Sequence, residues 1–225
     1  MNDQVILRLI LKDWRLNISL IIFAIIGGVA ALGILLVGGQ TPLVLGAVLF
    51  FTSMILCASF LPMSNVVNER KKQTLAFMMS LPVSPAQYGV AKLLSTVGMF
   101  VIPWVTLISA ALYMILGRHV LPGGAIPLAL ILATVPLIGF CLITGTALVS
   151  ESEGWAIAAT AIVNSSYGIA WYLLVSYLPS LIRTWTSPVA VWNAAALDIL
   201  GAEFALIVIV LALTMLLQSR KHDFV

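Results

Sequence analysis

Apolar residues run along this chain in blocks rather than in stripes. Six blocks stand out, at about 18–38, 43–63, 87–116, 126–149, 155–178 and 200–218. Each meets the roughly 20 apolar residues that a helix needs to cross a hydrocarbon core. A helix that is apolar on every side belongs inside a membrane or a large core. The pattern therefore predicts an all-α, polytopic membrane protein, a single domain of six transmembrane helices over residues 1–225. No ionisable residue stands near the centre of a block, where insertion would cost about 3 kcal/mol. Lys92, near the start of the third block, and Glu203, near the start of the sixth, are each expected to reach an interface.

The breaks between the blocks carry more information. Over 3–16, Gln4, Arg8, Lys12 and Arg15 recur every three or four residues, with Val5, Ile6, Leu9, Ile10 and Trp14 between them. That spacing predicts an amphipathic helix lying in the membrane interface, ahead of the first span, its basic face toward headgroups. Over 64–86, Ser64-Asn65 can cap a short helix whose charged turn is Glu69, Arg70, Lys71 and Lys72. Leu75, Phe77, Met78 and Met79 follow it and need lipid or a partner protein to cover them. Leu81-Pro82 stops this helix, because the residue before a proline disfavours the α region. Ser84-Pro85-Ala86-Gln87 reads as a capping box that opens the third span, with proline at the first helical position. The 150–154 turn is tight and acidic, with Glu151 and Glu153. The 179–199 stretch, with Pro179, Trp185, Pro188 and Trp192, is too apolar for a solvated loop and too broken for a span. It is expected to be a pair of short re-entrant helices in the outer leaflet, buried against protein.

Composition supports the same class. The 225 residues are 62% hydrophobic and 8% charged, against about 25% charged in a soluble domain. The spans leave no room for a separate soluble catalytic domain. The net charge is +3, and its placement is telling. Arg8, Lys12, Arg15, Arg70, Lys71, Lys72, Lys92, Arg220 and Lys221 fall on one side of a six-span chain, and only Arg118 and Arg183 on the other. The positive-inside rule then puts both termini and the 64–86 loop in the cytoplasm.

Several chemistries lack their parts. There is no phosphate-binding Gly-x-x-x-x-Gly-Lys-Ser/Thr run, no Gly-x-Ser-x-Gly and no His-Glu-x-x-His. Two lone cysteines, Cys57 and Cys141, and two distant histidines, His119 and His222, offer no metal-ligand cluster. No cofactor is expected in this chain. Polar residues within spans are few. Asn164, Ser165 and Ser166 lie in the fifth, and Thr52, Ser53 and Ser59 in the second. They either join helices by hydrogen bonds or line a polar path. Glu203 and Asp198 form either an acidic interfacial patch or a gating site. Pro103 and Pro136 are expected to kink the third and fourth spans, and Ala24-x-x-x-Gly28 to let helices approach closely.

Residues 68–92 resemble the cytoplasmic signature of ABC-2 type permeases, the membrane subunits of ABC exporters. That pattern runs Glu-Arg/Lys, Thr-Leu, Leu-Pro-Val/Leu-Ser and then a lysine entering the next span. Here it is Glu69-Arg70, Thr74-Leu75, Leu81-Pro82-Val83-Ser84 and Lys92. The six spans, the amphipathic N-terminal helix and the external stretch before the last span also resemble the family. The resemblance implies that Glu69, Arg70, Lys71, Lys72, Thr74, Leu75, Met78 and Met79 form a coupling surface for a separate nucleotide-binding subunit. Glu151 and Glu153 would add a smaller contact, and the helix bearing Arg8, Lys12 and Arg15 would flank the same ATPase. It implies that two permease chains pair, with ATP and Mg held on the partner ATPase. Ser53, Asn164 and Ser165 become candidates for a central path by their element alone.

The resulting expectation is a non-enzymatic permease subunit of an ATP-driven exporter in a bacterial cytoplasmic membrane. Its partners would be ATPase subunits, a second permease chain and lipid, with no nucleic acid. Its cargo would be hydrophobic or amphipathic: peptide, lipid or drug. A non-transporting scaffold or sensor that recruits a cytoplasmic protein is the alternative, and an intramembrane enzyme lacks its nucleophiles and ligands.

Overall fold

A computed structural model describes residues 3–71, 85–150, 152–177 and 182–220. Six long helices account for nearly all of them: α1 Asp3–Leu35, α2 Gln40–Pro62, α3 Pro85–Leu116, α4 Ala125–Ser150, α5 Glu153–Tyr177 and α6 Ala194–Ser219. All six are long and apolar enough to cross a membrane, and no strand occurs among the described residues. Lipid offers no hydrogen bonds, so an apolar backbone satisfies its own N–H and C=O groups within a helix.

Local chemistry sets several ends. Gly38 and Gly39, both in the positive-φ region (75° and 93°), turn the chain between α1 and α2. Glycine takes that conformation without a Cβ penalty. α3 begins at Pro85, the proline expected at its first helical position. The Asn193 side chain caps α6 by accepting the Ala196 N–H at 2.8 Å.

Helix α4 is the hub. Two thirds (67%) of its apolar window is buried, against 11% for α5 and for α6. One core joins Ile21 and Ala24 of α1, Cys57, Ala58 and Leu61 of α2, and Met99 and Phe100 of α3. Leu137, Phe140 and Cys141 of α4 and Ile207 of α6 complete it. At its centre the Phe100 and Phe140 rings stack with centroids 4.4 Å apart. The small-residue positions do let helices close up. A Cβ at Gly28 would stand 2.4 Å from Leu107, and one at Gly145 would stand 2.5 Å from the Thr214 hydroxyl. Pro103 and Pro136 both lie inside continuous helices. Trp104 donates its indole N–H to the Ala133 carbonyl at 2.8 Å, in the turn that Pro136 disturbs.

Four expectations change. First, no separate interfacial helix precedes the first span: α1 is one unbroken helix of 33 residues, about 50 Å at 1.5 Å per residue. Second, Ser64 and Asn65 cap nothing. α2 runs on through a π-helical turn, Met63–Val67, and a further turn, Asn68–Lys71. Third, within the 179–199 stretch, residues 182–183 are helical, 184–193 are turns, bends and irregular backbone, and 194–199 already belong to α6. Residues 178–181 lie outside the described residues. The stretch is held by the Gly124 N–H, which donates to the Ser187 carbonyl at 2.9 Å. A Cβ at Gly124 would stand 2.0 Å from the Thr184 carbonyl oxygen. Fourth, Lys92 does not turn outward but is buried among three helices.

Candidate functional site

Burial of Lys92 needs a countercharge, because an unpaired ammonium in a low-dielectric interior is costly. The countercharge comes from α1. Lys92 Nζ sits 2.9 Å from both carboxylate oxygens of Asp13, and both side chains are only 2% exposed. Nζ also lies 2.6 Å from Glu69 Oε2 and donates to Asn65 Oδ1 at 3.3 Å. Lys12 reaches the other oxygen of Glu69 at 2.5 Å and stands 3.6 Å from Asp13. Among the described residues, two carboxylates and two ammoniums thus form a compact ionic cluster. Its outer members are more open to solvent: Glu69 is 13% exposed and Lys12 40%.

Neutral side chains complete the network. Asn65 donates to Thr96 Oγ1 at 2.6 Å, and the Thr96 hydroxyl donates to the Lys92 carbonyl at 2.7 Å. The Ser64 hydroxyl donates to Asn17 Oδ1 at 2.7 Å, and the Asn17 amide donates to the Asp13 carbonyl at 2.9 Å. The site draws on α1, the π-turn and the turn after it, and α3. The π-turn contributes directly: its wider winding presents Ser64 toward α1 and Asn65 toward α3 from adjacent positions. Charge shapes the titration of Glu69 as well. Burial pushes its carboxyl up, but Lys92 and Lys12 outweigh that and hold it below its ordinary value.

The predicted site residues are placed as follows. Arg70 and Lys71 belong to the helical turn after the π-turn. Lys72, Thr74, Leu75, Met78, Met79 and Glu151 lie outside the described residues. Glu153 is exposed in the first turn of α5. Arg8 and Arg15 are exposed along α1, whereas Lys12 turns into the cluster. Ser53 and Asn164 are not brought together. Ser53 donates to the Phe50 carbonyl at 2.8 Å and packs toward Gly27 of α1. Asn164 accepts from Ser59 at 3.3 Å, and both it and Ser165 are exposed on α5. Glu203 lies further into its helix than the apolar block alone indicates. It stands nine residues beyond Ala194, the start of α6, and meets the Thr134 hydroxyl of α4. Asp198 is exposed.

Asp13, Asn17 and Thr96 carry no motif in the sequence, and Asn65 reads there only as a helix cap. One signal existed for Asp13: a lysine inside a span needs an acid at the same end of the bundle, and few acids are there. Asn17, one turn on from Asp13, extends the same face.

No family model matches the chain, and neither a curated protein nor a solved structure matches it.

Proposed function

We propose that this chain is the permease subunit of an ATP-driven ABC exporter. On this reading two copies, or one copy and a related chain, pair in a bacterial cytoplasmic membrane with both termini in the cytoplasm. A separate ATPase docks on the 69–79 segment, and a hydrophobic or amphipathic cargo leaves the cytoplasm. The chain hydrolyses nothing itself, and ATP and Mg belong to the ATPase.

The observation that carries the reading is the ionic cluster at the root of the segment. Glu69 opens the stretch that resembles the ABC-2 signature, and Lys92 ends it. Both residues join one network with Asp13 of α1. A push delivered to the segment would therefore reach two spans directly, as a coupling element requires. The exposed flank of α5 supports pairing. Asn164 and Ser165 face outward on a mostly apolar helix, where a second chain or a polar path would accommodate them better than lipid.

The test is reconstitution. The chain is co-expressed with its ATPase, and Arg70, Lys71 and Lys72 are replaced by glutamate. Co-purification and ATP-dependent cargo movement into inverted vesicles should both be lost. Unchanged assembly and transport would remove the docking claim. An ATPase that binds the wild-type chain but drives no cargo would favour the scaffold reading.

A further inference from the structure

The ionic cluster has an uneven construction. An ammonium has three N–H donors, yet four oxygens surround Lys92 Nζ: two of Asp13, one of Asn65 and one of Glu69. Asp13 and Asn65 can satisfy all three donors without Glu69, and the Asp13–Lys92 pair that remains is electrically neutral. Glu69 makes the shortest of the four contacts, at 2.6 Å, yet it is the acceptor that can leave without removing the buried countercharge. It is also the member on the more solvent-open side, paired with a Lys12 that is 40% exposed. Withdrawing Glu69 therefore leaves the fully buried Asp13–Lys92 pair closed, whereas withdrawing Asp13 leaves Lys92 on Glu69 alone and withdrawing Lys92 leaves Asp13 with only Lys12, 3.6 Å away. Only Glu69 belongs to the turn Asn68–Lys71 beyond the π-turn. Asp13 and Lys92 sit inside long helices.

We infer that Glu69 is a positioning residue, the detachable arm of an ionic latch whose fixed part is Asp13, Lys92 and Asn65. With the arm engaged, as here, the turn Asn68–Lys71 is held against α1 and α3. With the arm released, that turn moves while the helix contacts beneath it stay closed. The link to transport rests on the permease reading above, but the two states of the turn do not.

Two measurements on the full chain separate these levels. In lipid nanodiscs, spin labels are placed on cysteines at positions 7 and 68, both exposed, with Cys57 and Cys141 replaced by alanine. Pulsed-dipolar distances are then compared for wild type, Glu69→Gln and Lys92→Met. Glu69→Gln should add or enlarge a longer-distance component while keeping the wild-type melting temperature to within a few degrees. Glu69→Asp, which keeps the charge on a shorter arm, should fall between the two. Lys92→Met should lower the melting temperature markedly. A Glu69→Gln distribution identical to wild type, or a Glu69→Gln protein that fails to fold, would overturn the latch. In the complex with the ATPase, Glu69→Gln should still bind its partner but move about 2- to 30-fold less cargo per ATP, the range that coupling substitutions span. An unchanged ratio would remove the latch from coupling and leave the permease reading standing. Absence of ATP-driven transport by the wild type would defeat the permease reading and leave the distance result intact.

Discussion

Lys92 and Asp13 are the residues on which this end of the bundle depends. Each is nearly inaccessible, and each would lose its one fully buried countercharge without the other. Removing one partner of such a pair costs about 3–5 kcal/mol. Lys92→Met and Asp13→Asn should therefore each lower the melting temperature of the purified protein strongly. The double variant, with no orphaned charge, should lose clearly less than the sum of the two, and a double-mutant cycle measures that coupling. Additive losses would mean that the pair contributes little. Glu69 makes a pH prediction. Its carboxyl is held below its ordinary value by Lys92 and Lys12. A depressed carboxylate contributes stability that is fully present above its unfolded pKa, about 4.3, and is lost as pH falls through the lower folded value. Wild type should thus lose thermal stability on acidification below about pH 4 more steeply than Glu69→Gln. Parallel profiles would exclude that contribution.

Among the elements, the π-turn Met63–Val67 has the largest effect for its size. It carries Ser64 to α1 and Asn65 to α3, and it sets the rotation at which Glu69 emerges. Deleting Met63 would tighten the winding and turn everything beyond it by roughly one residue, about 100° in an α-helix. Glu69 should then miss Lys92, and the position 7–68 label distance should change even though no charged residue was touched. At the α4–α6 contact, a Cβ on Gly145 would collide with the Thr214 hydroxyl. Gly145→Val should destabilise by about 1–3 kcal/mol, the usual cost of overpacking, read as a lowered melting temperature. Gly168, beside which no atom waits within 4 Å, is the control. These elements were unequally legible beforehand. Length and apolarity located all six helices. The N-terminal periodicity of Arg8, Lys12 and Arg15 was real but did not mark a separate helix, because nothing at 16–18 breaks α1. The start of α6 was misplaced because the prolines and tryptophans of 179–192 hid the Asn193 cap.

For the whole molecule, the proposed arrangement of six crossings with cytoplasmic ends puts both termini on one side of the bilayer. Cysteines introduced at positions 7 and 152 should react with an impermeant maleimide only in inverted vesicles, and one at 119 only in intact cells. A label at 7 and 119 from the same side would break the six-span topology. Burial is also lopsided, with α4 enclosed and α5 and α6 largely open. Composition alone leads to the spans, their lengths and the side on which the basic residues gather. Those features are local, because each helix satisfies its own backbone wherever it lies in the membrane. The pairing of Asp13 with Lys92, 79 positions apart, is different in kind. It depends on how each helix is rotated about its own axis and on one extra-wide turn after α2. Neither leaves a periodic trace in the chain, so the polar residues that meet were settled by packing.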